Sequence, residues 1–212
     1  MELIARYFPD LTPVQQKQFD LLPAFYREWN ARVNLISRQD IANLAVKHVL
    51  HSLAIAKVFS FMPQAHVLDL GTGGGFPGIP LAILLPEVQF TLIDGTAKKI
   101  AAVRELIRVL TLTNAVAHPV RAEAFPQQRV FDFVVSRAVA PLHQLLSWSQ
   151  PLLSKKHRHA YPNGLIALKG GDLSAELALL PAGGREGVET WAISDFFSEP
   201  AFEEKWVVYV QG

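Results

Sequence analysis

Cysteine does not occur in this chain of 212 residues. Its absence excludes a disulfide scaffold, a thiolate-bound zinc or iron–sulfur centre and a cysteine nucleophile. Charge is also sparse: 18% of residues are charged and the formal net charge is +1. A dedicated nucleic-acid domain usually carries a larger basic excess, so contact with such a polymer has to come from local clusters. No uninterrupted apolar run reaches the roughly 18–20 residues that cross a bilayer. The first ten residues hold Glu2 and Asp10 and no apolar h-region, so secretion and membrane insertion are not expected and a cytoplasmic location is. There is no repeat at a solenoid period and no low-complexity tract.

What is present is a chain with half its residues apolar, of a length that makes one domain with a modest extension. That composition buries a sizeable core and excludes disorder, collagen and coiled coil. Residues 1–62 read as helical. Thr12 before Pro13 is an N-cap followed by proline at the first helical position, and Phe19, Leu22, Phe25, Tyr26 and Trp29 follow at helical spacing. Pro23 inside that pattern is expected to kink or divide the helix. A second helical stretch runs from about Ile41 to Phe59. From residue 63 to 212 the texture alternates. Short apolar runs at 66–70, 88–93, 115–120, 131–136 and 165–168 read as strands. Helical patterns at 77–85, 97–110 and 142–153 lie among them. Two late strands, at 187–193 and 205–210, follow without a long helix between them. The alternation predicts a Rossmann-like α/β fold, a mostly parallel sheet with helices on both faces, with an antiparallel C-terminal edge and an N-terminal helical cap.

The turn after the first strand reads Val67-Leu-Asp69-Leu-Gly71-Thr-Gly73-Gly-Gly75-Phe76-Pro-Gly78. Its glycines permit positive φ and let a ligand approach the backbone, and ligands of open α/β sheets bind beyond the carboxyl ends of the strands. Gly73-x-Gly75-x-x-Gly78 formally matches a dinucleotide fingerprint, with Asp94 near the distance of a ribose-binding acid. Asp69 tips the choice. A carboxylate aimed into the site repels a pyrophosphate and favours a ligand carrying a sulfonium and an ammonium, as S-adenosylmethionine does. Asp94 then accepts from the ribose hydroxyls. The competing reading of both acids is as caps of the turns they stand in. A nicotinamide-dependent oxidoreductase is the alternative enzyme, although no Tyr-x-x-x-Lys pair is present. No Walker ending is present either, which argues against an ATPase.

Gly71-Thr-Gly-Gly-Gly-Phe-Pro-Gly-Ile-Pro80 resembles the signature of the RsmG (GidB) methyltransferases. Asn34-Leu-Ile-Ser37, His48-x-x-x-Ser52, Phe131-Asp-x-x-x-Ser-Arg137-Ala and Ala167-Leu-Lys169-Gly170 agree in order and spacing. The resemblance implies a seven-stranded S-adenosylmethionine-dependent methyltransferase sheet in residues 63–212. It also implies a bacterial cytoplasmic enzyme that methylates N7 of one guanine in 16S ribosomal RNA, on the RNA or the small subunit. A non-catalytic RNA-binding protein of the same fold is the further alternative. Carried over, the resemblance implies cofactor contacts at Gly71, Phe76, Ala122, Glu123 and Arg137. With the turn reading, the expected cofactor set is Asp69, Gly71, Gly73, Gly75, Phe76, Asp94, Ala122, Glu123 and Arg137. One departure is His51, where many members carry Asp; His51 reads as a helix-surface residue.

Guanine N7 has an in-plane lone pair and no proton, so its methylation needs no general base. Positioning is the main demand. Arg137, at the carboxyl end of the fourth strand, is the candidate catalytic positioning residue. It has the chemistry to hold a cofactor carboxylate, a target phosphate or a guanine edge; a structural ion pair is the competing reading. Arg38, His48, Ser52 and Lys169 are the candidate RNA contacts, with docking of the cap as the other reading of His48 and Ser52. Arg27, Arg32, Lys47, the run Lys155-Lys-His-Arg-His159 and the helix face of Lys98, Lys99, Arg104 and Arg108 are further basic patches, any of which is equally well a solvated face. No metal site is expected, because histidines at i and i+3 without a third ligand make a poor one. A monomer is expected.

Overall fold

A computed structural model describes residues 2–137, 139–181 and 187–212. Ala138, at the end of the Ser-Arg-Ala segment, lies outside the described residues.

The N-terminal part is helical: α1 (Glu2–Tyr7), α2 (Pro13–Asn30), a 3-10 turn (Arg38–Asn43), a π-helical turn (Leu44–Leu50), then α3 (His51–Leu53) and α4 (Ile55–Val58). Thr12 caps α2 in a reciprocal box with Gln15. The Gln15 amide then donates to the Ile83 and Leu84 carbonyls at the end of α5 (Gly78–Leu84), so one side chain closes two helices. Of the two outcomes expected at Pro23, division does not occur: α2 runs through it as one helix. Phe19 and Leu22 before it, and Phe25 and Tyr26 after it, are all buried. Packing on both sides outweighs the roughly 3 kcal/mol cost of an interior proline. The helical run Arg38–Val58 is long enough to span a membrane, at a mean hydropathy of 1.2. Its Leu44, Val49, Leu50, Leu53 and Ile55 lie in the core between cap and sheet, which accounts for that hydropathy.

The sheet has seven strands: β1 (His66–Leu70), β2 (Gln89–Ile93), β3 (Ala115–His118), β4 (Phe133–Arg137), β5 (Gly164–Gly170), β6 (Val188–Ala192) and β7 (Lys205–Gln211). Their order is β3-β2-β1-β4-β5-β7-β6. The first five pair in parallel, and β7 runs antiparallel between β5 and β6. Side chains alternate between two cores, as the strand period of two requires. Val67, Phe133, Val135, Ile166 and Leu168 face the cap and α6 (Ala97–Val109). Leu68, Leu70, Val134, Leu165 and Ala167 face α7 (Leu142–Ser149). The strand order reverses between β1 and β4, and the glycine-rich turn leaves β1 at that point, where open α/β sheets bind ligands.

Candidate active site

The turn is braced from below by two carboxylates. β1 carries Asp69 to its carboxyl end fully buried. Its Oδ2 accepts from Thr72 Oγ1 at 2.6 Å and from the Gly78 amide at 2.7 Å, across both arms of the turn. Asp94, just past β2, accepts from the Gly73 amide at 3.0 Å and the Thr96 amide at 2.7 Å. Gly71, Gly73 and Gly75 all have positive φ, a region L-residues with a Cβ rarely enter. Asp69 therefore lies beneath the turn, held by Thr72 and Gly78, and is not one of the residues that line the neighbouring cavity.

Burial pushes the Asp69 carboxyl up to about 7, against the hydrogen bonds of Thr72 and Gly78 and the charge of Arg137. Its second oxygen has no hydrogen-bond partner. A cation bound above favours the ionised form, so affinity for S-adenosylmethionine is expected to fall about fivefold from pH 8 to pH 6. The stability of the ligand-free chain carries the opposite sign. A carboxyl raised on folding contributes stability that is complete below its unfolded value and lost as pH rises through about 7. Calorimetry and thermal melts across this range, with Asp69→Asn expected to flatten both slopes, check the pair. A wild-type affinity flat with pH contradicts it.

Beside the turn is a cavity of about 360 Å3, lined by Gly71, Asp94, Ala122 and Glu123 among the expected cofactor residues. Ala122 and Glu123 sit in a short 3-10 turn (Ala122–Ala124) after β3. The sequence reading missed Arg121, Val139 and Trp148, which also line the cavity. Trp148 was legible only as one residue of a helix, and which way it turns depends on α7 packing against the sheet. The residues fit an adenosine-bearing ligand. A carboxylate stands at the end of β2, Ile93, Val139 and Trp148 form an apolar wall, and a Cβ on Gly71 would collide with Val139 on that wall.

Gly73, Gly75, Phe76 and Arg137 are not on that wall. Phe76 is buried at the start of the loop-to-α5 connection, with the Arg137 guanidinium 4.8 Å over its ring and the His48 ring 5.1 Å away. Arg137 also donates to the Lys47 carbonyl at 3.3 Å. Burial lowers its pKa to about 10, opposed by Asp69, Tyr26 and Asp40, so it stays a cation at neutral pH.

Of the four residues expected to meet RNA, Arg38 is exposed. His48 is buried, with neither ring nitrogen in a hydrogen bond and Asp40 Oδ2 3.9 Å from Nε2. Burial, then Arg137, lowers its pKa to about 4, so it is neutral. Ser52 is fully buried and donates to the His48 carbonyl at 2.6 Å, an intrahelical bond. Lys169 is drawn inward to Glu176 Oε2 at 2.7 Å and the Ala140 carbonyl at 2.8 Å. His51 is not a surface residue: it is half-buried against Phe202, and burial lowers its pKa to about 3.

The strand order, the acid-braced glycine turn and the adjoining cavity define the class: this is an S-adenosylmethionine-dependent methyltransferase fold. The fold is shared with M. jannaschii TYW2 in complex with AdoMet, at a TM-score of 0.57 and 16% identity over 81% of this chain and 78% of that one. A SAM dependent methyltransferase from Aquifex aeolicus has a TM-score of 0.52 at 16% identity, over 82% of this chain and 98% of that one. Residues 15–182 match the family model described as "GidB: rRNA small subunit methyltransferase G", and the chain belongs to that family. It is 50% identical to ribosomal RNA small subunit methyltransferase G of Bacteroides thetaiotaomicron over the full length of both chains. To that of Flavobacterium psychrophilum it is 49% identical, over 99% of this chain and 97% of the relative.

Proposed function

We propose that this protein methylates N7 of one guanine in 16S ribosomal RNA, using S-adenosylmethionine. The observation that carries the reading is the full-length match to small-subunit rRNA methyltransferases, supported by a cavity at the switch point of the sheet with the Asp94 carboxylate among its lining residues. When bound, S-adenosylmethionine supplies the methyl group as an electrophile. The chain's own residues orient and screen. Asp94 ties the turn to β2 and offers a carboxylate at the cavity wall. Ala122 and Glu123 supply backbone where a base edge would be recognised. Arg137, cationic and stacked on Phe76, stands at the carboxyl end of β4 beside the cap. Because N7 carries no proton, nothing has to abstract one.

Arg38 and Lys47 are exposed on the cap, Lys47 with its carbonyl on Arg137, and this part of the cap is the proposed meeting place with RNA. His48 and Ser52 act there by shaping the cap from within. A net charge of only +1 favours a folded subunit particle over naked RNA, since little non-specific attraction is available. This work belongs to the cytoplasm, where small subunits are built. The test is transfer of labelled methyl from S-adenosylmethionine to small-subunit RNA, with the product mapped by mass. Modification of a single guanine at N7 is the expected result. Binding of NAD in place of S-adenosylhomocysteine, or cofactor binding without transfer, contradicts it.

A further inference from the structure

The glycine turn is also held from above, by one face of α2. Tyr26 is fully buried, its hydroxyl donates to the Gly74 carbonyl at 2.6 Å, and its ring stacks on Phe76 at 5.0 Å and 26°. Four residues on, hence on the same helix face, Asn30 Oδ1 accepts from the Leu35 and Ile36 amides at 2.8 and 3.0 Å, and its Nδ2 donates to the Ile36 carbonyl at 2.9 Å. That clamp sets the Leu35 carbonyl against the turn so closely that a Cβ on Gly74 would lie 2.9 Å from it. We infer that Tyr26, with Asn30 one turn further along α2, positions the cofactor loop from the cap side, although neither residue lines the cavity. This rests on the methyltransferase reading above.

The physical reason is conformational entropy. A segment with glycine at 71, 73, 74, 75 and 78 has more freedom to lose than any other composition. Freedom left in the ligand-free loop is lost on binding and weakens affinity, and a loop ordered beforehand avoids that cost. Asp69 and Asp94 grip the turn through the Thr72 hydroxyl and the Gly73 and Gly78 amides. Gly74, at its middle, has the Tyr26 hydroxyl on its carbonyl. Burial raises the phenol pKa far above the ordinary range, so the hydroxyl keeps its proton and stays a donor. A phenol serving only the core would affect melting temperature and leave ligand affinity alone. A positioning phenol shifts the affinity for one substrate selectively.

The experiment compares the full-length wild type with Tyr26→Phe, which keeps the ring and its stack and loses the hydroxyl. Calorimetry with S-adenosylhomocysteine and steady-state methylation of small-subunit RNA are read well below the melting temperature of each. The expected result is a rise of about fivefold in Kd for S-adenosylhomocysteine and in KM for S-adenosylmethionine, from one lost hydrogen bond, with KM for RNA unchanged. Leu22→Ala, buried one turn earlier on α2, is expected to lower the melting temperature and leave both KM values in place. Should Tyr26→Phe not fold, Asn30→Ser is read in the same way. Unchanged affinity in the folded variant, or equal rises in both KM values, overturns the inference and leaves the methyltransferase reading standing. A wild-type chain that binds no S-adenosylhomocysteine overturns both.

Discussion

Gly71→Ala is expected to weaken binding of S-adenosylmethionine about a hundredfold, equivalent to about 2.7 kcal/mol, while the chain stays folded. Two costs combine. Gly71 has φ +71°, and a residue with a Cβ loses roughly 1–2 kcal/mol there. The new methyl would also stand 2.5 Å from Val139 Cγ2 and 3.0 Å from Cγ1. Val139 is half-exposed and lines the same cavity, so any shift that relieves the clash reshapes the cavity wall. The double variant Gly71→Ala/Val139→Ala separates the two. It is expected to recover the steric part, about tenfold in Kd, and leave the backbone part. Calorimetry with S-adenosylhomocysteine, beside circular dichroism and melting curves, measures both. Affinity within twofold of wild type in the single variant contradicts the placement of the cofactor in this cavity.

The sheet was legible because its residues obey a short-range rule. Alternation along β1, β4 and β5 sends Val67 one way and Leu68 the other, and both faces are apolar because both are covered. The late pair was legible because no long helix separates its two strands, which favours an antiparallel return over a helical crossover. The glycine turn announced itself by composition. The outcome was less complete where a side chain's direction depends on something distant in sequence. Lys169 reads as a free cation until α8 (Ser174–Ala178) brings Glu176 to it. Asp69 reads as an acid at a strand end, and its two partners, Thr72 and Gly78, are set by the way the turn closes. His48, Ser52 and His51 share a run whose apolar pattern says helix. A period of 3.6 does not reveal that the run opens with a 3-10 turn and a π turn, which changes the register of the residues that follow. Tyr26 reads as core, which it is; only the approach of Gly74 adds the second role. Burial is local enough to be read from pattern, whereas the partner of a polar group is a property of the whole fold.

The same distinction bears on Arg137, whose position at a strand end was legible and whose surroundings were not. Arg137→Lys is expected to cut methylation at least thirtyfold, about 2 kcal/mol, with the fold intact. The guanidinium lies over the Phe76 ring, 4.8 Å from its centroid, and reaches the Lys47 carbonyl at 3.3 Å. It thus holds a cap element and the cofactor turn with one planar group. A lysine ammonium keeps the charge, loses the plane that stacks and the fork of donors, and prefers hydration to an aromatic face. The charge alone answers the nearby Asp69, whose ionisation Arg137 favours, so the cofactor Kd is expected to rise only a fewfold in Arg137→Lys. Most of the loss then falls on kcat, because what disappears is orientation of the cap relative to the turn. Arg137→Met, nearly isosteric in its stem and uncharged, is expected to lose both, and its Asp69 carboxyl to titrate higher. Single-turnover rates at saturating cofactor and RNA, alongside calorimetry, separate these terms. A lysine variant at wild-type turnover refutes any role for the guanidinium in the reaction. One whose only defect is a lowered melting temperature assigns it to the joint between cap and sheet.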